Sequence, residues 1–174
     1  MSSLICGSIA YDTIMNFEGK FADQILPEQI HILNVAFLVP TMRREFGGCA
    51  GNIAYNLHLL GGDPIIMATV GGDCVPYMSH LNQLGIDATH IRQVDSAFTA
   101  QAMITTDQTN NQITAFHPGA MGESHLNQVA DVVSERSARS KGAVKFGIVA
   151  PDGRQGMWEH CHQLRSEEHT SELQ

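Results

Sequence analysis

The sequence has no cluster of basic residues, and its charge is acidic overall: 10 Lys and Arg against 18 Asp and Glu, a formal net charge of −8. A chain that grips nucleic acid or an anionic membrane surface needs a cationic face, so both partner classes are excluded. There is no long apolar stretch either. The first apolar run, Leu4 to Ala10, is broken by Gly7 and Ser8 and has no basic flank, so it suits neither a secretory leader nor a membrane span. Cys6, Cys49, Cys74 and Cys161 include no C-x-x-C pair, the pattern of reduced thiols in a cytoplasmic protein. The nucleotide fingerprints are missing too. There is no G-x-G-x-x-G, and no glycine loop leads into the Lys-Ser/Thr of a P-loop. No internal repeat or low-complexity linker divides the chain.

At 174 residues, 43% of them hydrophobic, the chain can bury one real core with a small appendage. Its organising stretch is Gly47-Gly48-Cys49-Ala50-Gly51-Asn52, followed by a helical run from Ile53 to Leu60 and by Gly61-Gly62. Residues 53, 54, 57 and 60 share one helical face, and Gly61 is placed to end the helix. A glycine turn feeding a helix N-terminus leaves N–H groups and a positive dipole end that can hold hydroxyls or phosphate. By spacing alone the stretch reads equally as a tight loop before a core helix.

Leu4 to Ala10 reads as a strand buried on both faces, with Asp12 just past its C-terminal end, where ligands collect in open α/β sheets. A solvated turn aspartate has the same signature. Thr13 to Phe17 continues extended, residues 20–30 form a loop or one short helix, and Ile32 to Val39 reads as a strand ending at Pro40. Two extended pieces before the first long helix suit an antiparallel flap. Pro64 to Val70 is a buried strand followed by Gly71-Gly72-Asp73, and Val75 to Leu84 is a helix stopped by Gly85. A short strand follows around His90-Ile91. This alternation predicts a parallel sheet with crossover helices. Phe98 to Thr105 and Gln112 to Phe116 flank hairpin residues 106–111, a second flap able to join the first in a small antiparallel sheet. Ser124 is placed to cap a helix through about Arg139. Val144 to Ala150 reads as a buried strand, and a last helix starts near Arg154.

No metal cage is expected. His160-Cys161-His162 cannot present its two imidazoles on one helix face, and both read as solvated. Met67, Met78, Met103, Met121 and Met157 read as core filler, and Cys49 as a packing residue. No Ser/His/Asp or Cys/His pair stands out. Residues 165–174, with one apolar side chain, cannot extend an amphipathic helix usefully. They resemble a translated sequencing adapter, and fold reasoning excludes them as non-native.

The order of these pieces resembles the PfkB, or ribokinase-like, family of sugar and nucleoside kinases, especially its adenosine-kinase-like bacterial members. The matching residues are Gly7-Ser8-Ile9-Ala10-Tyr11-Asp12, Gly47 to Asn52 with Gly61-Gly62, and Gly71-Gly72-Asp73. Phe98-Thr99-Ala100-Gln101-Ala102 and Phe116-His117-Pro118-Gly119-Ala120 follow, so the likeness covers roughly residues 1–164. It implies an α/β/α three-layer sandwich with a small antiparallel β lid, the lid strands coming from about 12–46 and 98–117. It implies ATP-dependent phosphorylation of the hydroxymethyl group of a sugar or nucleoside, with Mg²⁺, in the cytoplasm.

The resemblance also implies roles. Asp12 accepts hydrogen bonds from vicinal hydroxyls of a ribose-like ring, the amides of Gly47 and Gly48 and the side chain of Asn52 hold the same sugar, and Gln101 and Phe116 face the rest of the substrate. Phe17, Phe37 or Phe116 could stack on a base. Ala10 stands where many ribokinases place an Asn, so one sugar contact is missing. The family's Gly-Ala-Gly-Asp catalytic base, Asn-x-x-Glu metal motif and ATP pocket lie downstream of this point, and none appears in the sequence. The expectation is a truncated kinase that holds the acceptor side, binds acceptor weakly and transfers nothing, with a second copy pairing through the lid. The competing expectation is a non-catalytic sugar- or nucleoside-binding or dimerisation module.

Overall fold

The structure, a computed structural model, describes residues 2–138 and 143–171. A four-stranded parallel sheet forms the centre, in the order β5-β4-β1-β8. Its strands are β1 (Ser2–Cys6), β4 (Asp63–Gly71), β5 (Ile91–Val94) and β8 (Val144–Val149). Alternation along β1 and β4 divides the core in two. Ile5, Ile66, Ala68 and Val70 pack under α2 (Cys49–Leu59) and α3 (Val75–Gln83). Leu4, Cys6, Ile65 and Met67 point the other way, toward α4 (Val129–Ala138) and Leu164 of α5 (Arg154–Ser171). Helices on both faces explain why β1 and β4 read as continuous apolar runs, and they give the three expected layers. Gly61 and Gly85, at φ +79° and +71°, end α2 and α3 as left-handed residues.

The second sheet is the lid, in the order β3-β2-β6-β7. It comprises β2 (Ala10–Asn16), β3 (Thr41–Gly47), β6 (Ala100–Thr106) and β7 (Gln112–His117). Both expected flaps are antiparallel, β2 with β3 and β6 with β7. They join through a parallel pair, β2 with β6, so the lid is mixed rather than wholly antiparallel. At the lid tip Asp107 accepts the Phe21 N–H and both the N–H and the side-chain amide of Asn111. This ties the hairpin to α1 (Phe21–Gln24). Phe17, Phe21 and Phe37 close over one another there, with centroids 4.9–5.8 Å apart.

Several local expectations are corrected. Ile32 to Val39 is not a strand. A 3-10 turn over Pro27–Ile32 leads into irregular chain, and Thr41–Gly47 pairs instead. The run joins no sheet: Phe37 packs in the tip cluster, and Leu38 is 85% exposed. Helix α2 begins at Cys49 rather than Ile53. Ser124 caps no helix but lies in a 3-10 segment, Gly119–Leu126, with α4 beginning at Val129. The expected helix end at Arg139 lies outside the described residues. Strand β8 sits at the sheet edge, so Phe146 and Ile148 are exposed rather than buried. His160 is fully buried, and its Nε2–H donates to Asn127 O at 3.2 Å. The backbone of α5 stays helical through Ser171.

Candidate functional site

Only Gly7, Ser8 and Ile9 separate β1 from β2, so the chain leaves the central sheet and enters the lid almost at once. Asp12 therefore lies on a lid strand and not in a turn beyond β1. The ladder pairs it with Glu45 on β3 and Ala102 on β6, and Ala102 with Phe116 on β7. Directly paired residues share a face, so Glu45, Asp12, Ala102 and Phe116 form one transverse row. At ordinary strand spacing the columns of Asp12 and Phe116 stand about 10 Å apart, with only an alanine methyl between them. Phe116 is 52% exposed.

The glycine turn closes on the same face. A Cβ on Gly47 would lie 2.3 Å from Asp12 Oδ2, so only glycine lets the carboxylate settle over the end of β3. Gly48, at φ +89°, packs so tightly that a Cβ would stand 2.6 Å from Ser8 O and from Ala10 N. Burial pushes the Asp12 carboxyl above the usual aspartate range.

The first amides of α2 are partly spoken for. Ser8 O accepts the Ala50 N–H at 2.9 Å, and Ser8 Oγ accepts the Cys49 N–H at 3.1 Å. The Gly48 N–H has no protein acceptor among the described residues. The helix end is thus a narrower donor set than its sequence suggests. Asn52 stands exposed on the first turns of α2, with its backbone carbonyl accepting from Asn56.

Gln101 is not gathered with the others. It pairs with Tyr11, one residue out of step with Asp12, and so belongs to the opposite face of the lid. There its Nε2 reaches Asp73 Oδ2 at 3.4 Å and its Oε1 accepts from Arg44 at 3.2 Å. Arg44 lies over the Tyr11 ring, 4.4 Å from its centroid. Asp73 also accepts the Thr99 N–H at 2.7 Å. This face fastens the lid to the central sheet. Phe17 and Phe37 belong to the tip cluster, and Phe116 alone of the three aromatic candidates shares the Asp12 row.

Two residues escaped the sequence reading. Ser8 is hidden in a Gly-Ser-Ile run that reads as strand, and Tyr77 in a helix where an aromatic reads as core. Tyr77 Oη donates to Gly47 O at 2.7 Å. Burial, together with the charge of Asp12, pushes its phenol well above the usual tyrosine range.

The donor set suits hydroxyls. A carboxylate accepts from more than one OH, a glycine N–H donates to one, and an exposed aromatic offers a stacking face. It does not suit a triphosphate, which the Asp12 carboxylate would repel and for which the row offers no unpaired cation, the Arg43 guanidinium being engaged by Glu45 at 3.2 Å. Among the described residues no group of three or more His, Cys, Asp or Glu could hold a metal ion.

Residues 12–160 match the pfkB family of carbohydrate kinases. A nucleoside kinase of Methanocaldococcus jannaschii is 34% identical over 123 residues, 69% of this chain and 37% of that protein. A Burkholderia thailandensis nucleoside kinase, solved in complex with inosine, superposes with a TM-score of 0.77 at 51% identity, covering 95% of this chain and 50% of that one. The solved M. jannaschii nucleoside kinase, at 24% identity and a TM-score of 0.70, shares the fold. The chain spans about half the length of these solved structures.

Proposed function

The chain belongs to the pfkB family of carbohydrate kinases, and from that premise we propose that its lid face and glycine turn hold the acceptor of an ATP-dependent kinase. The acceptor is a nucleoside, or a sugar of ribose type, and the group phosphorylated is its hydroxymethyl oxygen. Asp12 accepts from the ring diol, the Gly48 N–H and the Asn52 amide hold the same ring, and Phe116 carries the base. The observation that supports this reading best is the Glu45–Asp12–Ala102–Phe116 row, whose 10 Å gap over a small residue accommodates a ribose with its base attached.

Kinases of this family use ATP and Mg²⁺. The residues gathered here do not fit a nucleotide triphosphate, so no step of phosphoryl transfer is assigned to them. Their contribution is orientation: holding the acceptor rigidly converts much of the entropic barrier into binding. Gln101 acts at one remove, by fixing Arg44 and the lid hinge. The histidines and cysteines take no part. We place the protein in the cytoplasm, and pairing of two copies through the lid remains compatible with the exposed face of β7.

The test is calorimetric titration of inosine and of D-ribose into this chain and its Asp12→Ala variant, with turnover from ATP measured in a chain completed to the length of its relatives. Loss of binding in the variant, with retained folding, is the expected result. Undiminished binding and turnover would reject the acceptor assignment.

A further inference from the structure

Tyr77 lies on α3, outside the lid, yet its phenol reaches under the glycine turn. Its Oη donates to Gly47 O at 2.7 Å and fills the space that a Cβ on Gly51 would need, 2.1 Å away. The ring is fixed from two sides, edge-on to Phe46 with centroids 5.0 Å apart and tilted against Tyr11 at 5.8 Å. The Tyr77 N–H donates in turn to Tyr11 Oη at 3.3 Å. Tyr77 is 2% exposed, so no bulk water competes for the Gly47 carbonyl.

A trans peptide sends its C=O and the following N–H in opposite directions. With Gly47 C=O held inward by Tyr77, the Gly48 N–H is turned away from the core. Gly48 is partly exposed, and its N–H has no protein acceptor among the described residues. We infer that Tyr77 is a positioning residue for the acceptor: it fixes the 47–48 peptide so that the Gly48 N–H donates to the same sugar hydroxyl that donates to Asp12. A hydroxyl is both donor and acceptor, so a carboxylate on one side and an N–H on the other define its orientation. Without the phenol the 47–48 peptide loses the donor that holds its carbonyl inward, and the wide conformational range of two glycines lets it tilt and turn the Gly48 N–H off the hydroxyl. The inference rests on the acceptor reading above.

The experiment titrates inosine into the ¹⁵N-labelled chain. In the wild type the Gly48 amide resonance moves to saturation together with that of Asn52. In Tyr77→Phe the affinity falls about tenfold, roughly 1.4 kcal/mol, and the Gly48 shift is lost while the Asn52 shift persists. In a completed chain the same variant raises KM for the nucleoside and leaves KM for ATP unchanged, a split that general loosening would not give. Gly51→Ala, which pushes the phenol aside without removing it, reproduces the effect if Tyr77→Phe fails to fold. Wild-type affinity in a folded Tyr77→Phe, or a wild-type Gly48 resonance unmoved at saturation, overturns the inference alone. A wild type that binds neither inosine nor D-ribose overturns the acceptor reading as well.

Discussion

The Asp12 carboxylate rests on the bare Cα of Gly47, with Oδ2 2.3 Å and Cγ 2.7 Å from where a β-carbon would be. Gly47→Ala should therefore swing the carboxylate out of place, since its end is the most mobile group in the clash. Inosine affinity is expected to fall at least about tenfold, while thermal stability changes by roughly 1 kcal/mol or less, the range of substitutions that small side-chain shifts absorb. Calorimetry and a thermal melt separate the two. Unchanged affinity would mean that the carboxylate does not grip the ligand.

Asp12 also predicts a pH dependence. Burial raises its carboxyl above the ordinary aspartate value of 3.8, so acceptor binding should weaken on acidification at a higher pH than an exposed aspartate would show. Because the folded value is raised, the buried charge costs stability once the group ionises. Asp12→Asn should consequently melt higher at neutral pH, bind inosine weakly, and lose the acid-dependent decline in binding. Site residues often carry such a trade.

Phe116 is expected to separate nucleosides from sugars. Removing its ring in Phe116→Ala should weaken inosine by about 1 kcal/mol, the typical worth of an aromatic stack, and leave D-ribose unaffected. Equal losses for both ligands would remove the base from that end of the row.

Asp152 offers a prediction away from the lid. It follows β8, with Oδ1 accepting the Gly153 N–H at 2.9 Å. Burial pushes its carboxyl from 3.8 to about 6, with the Gly153 N–H and the Ser124 hydroxyl offsetting part of the effect. A raised acid favours folding in its neutral form, so stability should fall as pH rises from about 4 to about 6. The penalty is up to about 3 kcal/mol. Asp152→Asn should flatten that slope and melt higher than wild type at neutral pH; a variant melting lower would refute this.

Asp107 has the opposite sign. Burial opposes its charge, but hydrogen bonds from Phe21, Asn111 and Thr109 outweigh it and hold the carboxyl well below the usual range. The stability it contributes is present above 3.8 and is lost as pH falls below that value. Amide protection factors in β6 and β7 should fall on acidification before those in β4 do. Asp107→Ala should show fast exchange at the tip even at neutral pH.

The central sheet was readable because strands covered on both faces are written as unbroken apolar runs, and β1 and β4 are such runs. The glycine turn, the helix ends at Gly61 and Gly85, and the 106–111 hairpin were readable from backbone chemistry alone. The strand β3 was not. Thr41–Gly47 is polar and exposed along most of its length, whereas the neighbouring Ile32–Val39 has the side chains of a strand and no sheet to join. Propensity describes a residue's fit to a half-buried surface, and here that surface lay elsewhere.

The site was legible in part for the same reason. Gly47 and Gly48 follow from a turn that needs glycine and Asp12 from its place after the first strand, whereas Phe116 was implied only by the family resemblance. The face of Gln101 depends on register between β2 and β6, two strands far apart in sequence, which nothing local specifies. Tyr77 and His160 were hidden because a buried polar group within a helix looks like any core position until its partner, Gly47 O or Asn127 O, is placed beside it.

The three-residue passage from β1 into β2 has a mechanical corollary. Asp12 and the glycine turn sit at the root of the lid, and the Asp107 clamp and the phenylalanine cluster sit at its tip. A rotation about the root carries the tip through the largest arc and leaves the root almost still. On the acceptor reading proposed above, such a rotation would leave the residues around a sugar ring nearly in place while the opposite end of the small sheet swings.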